Sequence, residues 1–139
     1  MARLIVLRGN LEAGTSLIAR SLQKLVSPQP LLIDYDAVRR ETIKELRDDM
    51  IISPGSIVLA VRYGLKQGRD VIVEGNFQRH MYGRLMVDLN KIHPKSTLFY
   101  YFSKDEDAMG FANEKIIPEI TNMEDSVDQI IADMNALER

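Results

Sequence analysis

A chain of 139 residues with 45% hydrophobic content and a formal net charge of −2 is long enough for one domain with its own core. It contains no cysteine, which excludes disulfides and thiolate metal sites, and its acidic balance argues against a general nucleic-acid binder. The one apolar stretch near the start, Leu4 to Leu7, is too short for a signal peptide or a membrane span. The expectation is a single cytoplasmic domain over residues 1–139 that engages neither nucleic acid nor membrane. Charge is unevenly spread: residues 1–102 carry 15 Lys/Arg against 10 Asp/Glu, and residues 103–139 carry 3 against 10. The acidic end reads as a solvated helix face.

The first apolar run, Arg3–Arg8, predicts a strand, and it leads straight into Gly9-Asn10-Leu11-Glu12-Ala13-Gly14-Thr15-Ser16. This is a phosphate-loop frame, G-x-x-x-x-G-K-[ST], with threonine in place of the lysine. Such a loop works because backbone N–H groups and a helix N-terminus cradle phosphates, the lysine reaches the transferable phosphate and the hydroxyl binds Mg²⁺. Gly9, Asn10, Gly14, Thr15 and Ser16 are therefore the candidate phosphate-binding residues, with Ser16 the Mg²⁺ ligand if nucleotide binds. The missing cation and the added carboxylate of Glu12 both repel phosphate. A unit charge about 4 Å away is worth roughly 4 kcal/mol at an effective dielectric near 20. The other reading of the loop is a tight strand-to-helix turn without a ligand.

A helix over Thr15–Val26 follows, then a second strand, Leu31–Asp34, and a helix over Ala37–Asp49. Asp36 and Arg39 stand at the junction, where ligands bind in open α/β sheets. The carboxylate can take a proton from an attacking hydroxyl and the arginine can hold an anion; alternatively Asp36 merely caps the helix. A helix over Gly55–Gln67 precedes the third strand, Asp70–Glu74. Glu74 and Gly75 at its end can lie next to Mg²⁺ or substrate, or Glu74 can pair with Arg79 or Arg84. Next come a helix over Arg79–Ile92, a strand over Ser96–Phe102, a short strand over Lys115–Glu119 and a closing helix over Asn122–Leu137 with capping-box spacing at Thr121–Glu124. Alternation of strand and helix predicts an α/β, three-layer, mostly parallel five-stranded sheet. Twelve residues, Ser103 to Glu114, separate the last two strands, near the minimum for a parallel crossover. Lys104–Met109 can form little more than one helical turn there. Leu98–Phe102 is then either a strand buried on both faces or an apolar patch for self-association.

LIVLRGN, LLIDYDAVRRE, VRYGLKQGRDVIVEGNF, YGRLM, TLFYYF, NEKIIPE and EDSVDQIIADM, in this order over nearly the whole chain, resemble the small P-loop kinases of the zeta-toxin, chloramphenicol-phosphotransferase and polynucleotide-kinase type. The resemblance implies a P-loop NTPase-type fold, ATP and Mg²⁺ as ligands where the pocket is functional, a base or substrate-orienting role for Asp36, substrate binding by Arg39, and the family's strand-three Glu-Gly at Glu74-Gly75. Family members carry an arginine-bearing lid after the fourth strand. Here the lid is missing: no arginine lies between Leu85 and Glu138, and Lys104 and Lys115 are the only cations between Lys95 and Glu138. Loss of the lysine and of the lid predicts a kinase-like protein that is catalytically impaired or inactive and acts by binding. It could self-associate through a surface uncovered near Leu98–Phe102. The alternative is an active phosphotransferase for a small hydroxylated substrate in which Arg8, Arg20, Arg79 or Arg84, or a neighbouring subunit, supplies the cation.

Overall fold

The computed structural model describes residues 2–9, 14–42, 53–76, 79–92, 94–103, 114–117 and 123–137. Five strands form one sheet: β1 (Leu4–Gly9), β2 (Leu31–Asp34), β3 (Val71–Gly75), β4 (Thr97–Phe102) and β5 (Glu114–Ile117). Their order is β2-β3-β1-β4-β5, and every neighbouring pair is parallel. The orientation of β5, open from sequence, is thus settled by its register of Phe99 against Glu114 and Phe102 against Ile117. The helices are α1 (Thr15–Leu25), a one-turn α2 (Tyr35–Ala37) that continues as a π-helical turn over Val38–Thr42, α3 (Ser53–Lys66), α4 (Arg79–Ile92) and α5 (Met123–Ala136). The helix expected over Ala37–Asp49 begins two residues earlier and changes pitch, while its second half and the expected turn at Lys104–Met109 lie outside the described residues.

β1 is central and wholly buried, which explains its unbroken apolar run. Period-2 alternation sends Leu4 and Val6 to one face, against Ile57, Val61 and Leu65 of α3 and Leu85 and Leu89 of α4. Ile5 and Leu7 go to the other, against Ile18 and Leu22 of α1 and Val127, Ile130 and Met134 of α5. Gly64 lets α3 lie close to the sheet, since a Cβ there would come within 2.8 Å of both Leu31 Cδ1 and Val71 Cγ2. At the amino edge, Asp70 accepts from the Arg3 backbone N at 2.8 Å and from Arg3 Nη2 at 2.7 Å, locking the starts of β1 and β3 together.

The strand Leu98–Phe102, readable from sequence either as buried on both faces or as an apolar patch, is mixed: Leu98 and Tyr101 are half-buried. Phe99, Tyr100 and Phe102 are buried, and Leu98 packs against the α1/α5 cluster. α5 closes this face: the Tyr100 hydroxyl donates to Asp133 Oδ2 at 2.6 Å, Gln129 Nε2 donates to Asp133 Oδ1 at 2.8 Å, and Lys115 Nζ lies 3.7 Å from the same carboxylate. Burial, aided by the Asp133 carboxylate, pushes the Tyr100 hydroxyl well above the usual phenol range. The thin coverage expected from a short crossover is thereby made good by α5 on this side.

Candidate functional site

Three strand ends converge at the carboxyl edge of the sheet. β1 delivers Gly9, β2 delivers Asp36 through the turn of α2, and β3 delivers Glu74, Gly75 and Asn76. Together with Gly14, Thr15, Ser16 and Leu17 at the start of α1 they line a cleft of about 150 Å³. Gly14 adopts φ 75° and ψ 15°, a left-handed conformation that favours glycine, and its carbonyl accepts the first helical bond, from Ile18 N at 3.2 Å. The remaining predicted loop residue, Asn10, and the charge-altering Glu12 lie outside the described residues.

Glu74 organises the floor. The residue is only 4% exposed, and its carboxylate accepts from Thr15 Oγ1 at 3.2 Å and from Ser16 Oγ at 3.1 Å. The side chain at the lysine position and the hydroxyl assigned to Mg²⁺ are thus both engaged by one internal acid. The expected alternative, Glu74 paired with Arg84, does not occur: Arg84 reaches Asp88 on its own helix, 3.4 Å away. Burial raises the Glu74 pKa above its ordinary 4.5, and Asp34 and Asp36 add to the rise, against the lowering effect of the two hydroxyl donors.

Asp36 lines the cleft and accepts from Asn76 N at 3.2 Å, joining α2 to the end of β3. It is not the helix cap; Asp34 fills that role, accepting from Ala37 N at 3.0 Å. Arg39 does not line the cleft with Asp36. The i+3 spacing presumed an α-helical turn, whereas Arg39 lies in a π-helical turn, whose wider winding rotates each residue less about the axis.

The substitute cations fare differently. Arg8 sits under Tyr101, its guanidinium carbon 3.7 Å from the ring centroid, and forks onto Glu114 at 2.9 and 2.7 Å. Arg20 and Arg84 are exposed outside the cleft, and the Arg79 side chain lies outside the described residues. The described lining therefore carries two carboxylates and no cation, and its volume falls below the roughly 300–1,000 Å³ usual for ligand pockets. Sequence reasoning named Thr15 as a phosphate-binding candidate but not as a donor to Glu74, and it missed Asp34 as a charge bearing on Glu74.

The sign of the Glu74 shift gives an expected result. A carboxyl whose folded pKa is raised binds its proton more tightly in the folded state, so its contribution to stability is full below pH 4.5 and is lost as pH rises through the folded value. Glu74→Gln should therefore raise the unfolding midpoint at pH 7, with the gain over the natural protein vanishing toward pH 4.5. Thermal unfolding of both proteins between these limits measures it; a midpoint lower at pH 7 in the variant would mean that the two hydroxyl bonds outweigh burial.

No protein-family model matches the sequence, and no curated protein does. The fold does match solved structures. APE1195 superposes with a TM-score of 0.77 at 13% identity, over 97% of this chain and 95% of that one. The fold is P-loop kinase-like. An unliganded sugar kinase from Janibacter sp. HTCC2649 is similar with a TM-score of 0.69 at 14% identity, over 95% of this chain and 94% of its own. A putative kinase from Chloroflexus aurantiacus gives 0.67 at 15% identity, over 97% of each chain. Identities this low carry the fold alone. Among the described residues, no helix is long and apolar enough to cross a membrane.

Proposed function

We propose that this P-loop kinase-like protein does not transfer phosphate efficiently and acts by binding, either a weakly held anion or nucleotide or a protein surface. The observation that carries this reading is the engagement of Thr15 and Ser16 by buried Glu74 in a cleft whose described lining has no cation. Phosphoryl transfer depends on positioning and on neutralising charge, and loss of an arginine finger alone lowers rate by roughly 10³–10⁵. A cradle that presents carboxylates opposes both requirements.

One observation favours the second reading, an active ATP-dependent phosphotransferase on a small hydroxylated substrate: Asp36 faces the cleft beside the end of β3, where a base would act. A single experiment separates the two. The purified protein and an Asp36→Asn variant are incubated with MgATP and a panel of small alcohols, sugars and nucleosides, with transfer and thermal midpoint both recorded. The expected outcome is no transfer by either protein and no midpoint shift at micromolar nucleotide. Robust MgATP-dependent phosphorylation that disappears in Asp36→Asn at unchanged stability would overturn the binding role and establish the enzyme.

A further inference from the structure

The two faces of the sheet carry complementary exposed surfaces. On one side, α1 and α5 flank a groove of about 480 Å³ lined by Ser21, Leu25, Met123, Glu124, Val127 and Asp128. Leu25 is 63% exposed and Met123 37%, over a floor at buried Val127. The charged residues lining it are both acidic, and neither makes an ion pair among the described residues. α1's own cations, Arg20 and Lys24, are not part of the lining. α5 has no lysine or arginine between Met123 and Ala136.

On the opposite side, α3 presents the converse. No Asp or Glu occurs between Ser53 and Lys66. Its inward face is occupied by Ile57, Val61 and Leu65, which leaves Leu59 at 71% and Tyr63 at 67% exposure, with Arg62 and Lys66 exposed beside them. At 3.6 residues per turn, positions 59, 62, 63 and 66 form one stripe. Two large apolar side chains one turn apart, edged by two cations, is the pattern by which an amphipathic helix enters a groove.

We propose that α3 of one copy of this chain docks into the α1/α5 groove of the next. Leu59 and Tyr63 seat against Leu25, Met123 and Val127, while Arg62 and Lys66 meet Glu124 and Asp128. Because α3 packs with α4 on one sheet face and the groove lies on the other, the contact is heterologous. Each copy that docks leaves one unused helix and one unused groove, so association continues as an open or ring-closing series instead of stopping at a twofold dimer. The inference does not depend on whether the phosphate site is active, and it moves self-association away from β4, where Phe99, Tyr100 and Phe102 are buried.

The test is sedimentation velocity over a concentration series at low and high salt, with two charge-reversed proteins, Arg62→Glu/Lys66→Glu and Glu124→Lys/Asp128→Lys. All four substitutions are at exposed positions, and circular dichroism checks that each variant is folded. The natural protein is expected to gain mass with concentration and lose it with salt. Each variant alone should stay monomeric, and an equimolar mixture of the two should associate again, since every reversed surface then finds its complement. A natural protein that is monomeric throughout would overturn the proposal, leaving the groove to a different partner. So would association that survives in both variants, or a mixture that stays monomeric. A single saturating dimer would also overturn the heterologous geometry.

Discussion

Arg8→Ala is expected to destabilise the protein by about 3–5 kcal/mol, the usual cost of removing one partner from a buried ion pair. The reason lies in what the substitution leaves behind. Glu114 has a side chain with 0% exposure, and its two oxygens accept from Arg8 Nε and Nη2 at 2.9 and 2.7 Å. Without the guanidinium, a charged carboxylate remains inside the protein with its main partner gone. The Tyr101 ring, stacked on the same guanidinium, loses its contact too. Urea unfolding at neutral pH measures the loss. Replacing both partners with apolar residues, Arg8→Met with Glu114→Leu, should recover most of it, because the cost arises from the uncompensated charge more than from the loss of the pair. A single substitution costing under about 1 kcal/mol would mean that solvent reaches Glu114 easily. The pair also has a positional consequence. It ties the end of β1, where the phosphate loop departs, to edge strand β5, and in doing so holds back the arginine nearest the loop in sequence.

The second large effect is expected from restoring the loop. Glu12→Gly with Thr15→Lys removes one carboxylate and adds one cation, each change worth roughly 4 kcal/mol against a phosphate about 4 Å away at an effective dielectric near 20. A lysine at position 15 would enter a buried site beside Glu74, whose carboxylate can pair with it and whose present donor, Thr15 Oγ1, is gone. The left-handed Gly14 and the first turn of α1, on which the cradle depends, are already in place. At a hundredfold excess over its dissociation constant a ligand stabilises by about 2.7 kcal/mol, which moves the midpoint of a domain this size by several degrees. Thermal unfolding with MgADP is expected to shift the double variant and leave the natural protein unmoved. Shifts in both would show that the natural cradle binds nucleotide despite its charge. A shift in neither would place the defect in the geometry of the loop.

Much of the architecture is legible in the sequence because it rests on local periodicity. The second strand, Leu31–Asp34, and the helix Arg79–Ile92 have the bounds their patterns predict, and α1, α3, β3, β4 and α5 differ from expectation by one or two residues at an end. β5 begins one residue early, and residues 118 and 119 of its expected span lie outside the described residues. The candidate site was legible in outline for the same reason: Gly9, Glu74 and Gly75 lie at the carboxyl ends of β1 and β3 and Asp36 just past β2, and parallel topology gathers strand ends at one edge. What failed was inference across elements. Arg8 looked available as a cation because its sequence neighbours are loop residues, yet its partner is more than a hundred residues away. Arg39 looked aligned with Asp36 because the helix was given α-helical pitch. The sequence left open whether Leu98–Phe102 is buried or a patch because the crossover is short, while α5 covers one face of it and supplies the acceptor for Tyr100.

By itself the sequence determined the α/β alternation, the strands, the phosphate-loop frame without its lysine and the absence of cysteine chemistry, since each depends on residue type and short-range spacing. Only the tertiary structure decided that β5 is parallel, that Asp34 caps while Asp36 faces the cleft, and that Glu74 holds the hydroxyls of Thr15 and Ser16. It alone set basic α3 and the acidic α1/α5 groove on opposite faces. The physical reason is that burial and hydrogen bonding are properties of three-dimensional neighbours: a carboxylate's pKa, an arginine's availability and a strand's exposure are fixed by what packs beside them, and distant parts of the chain supply it.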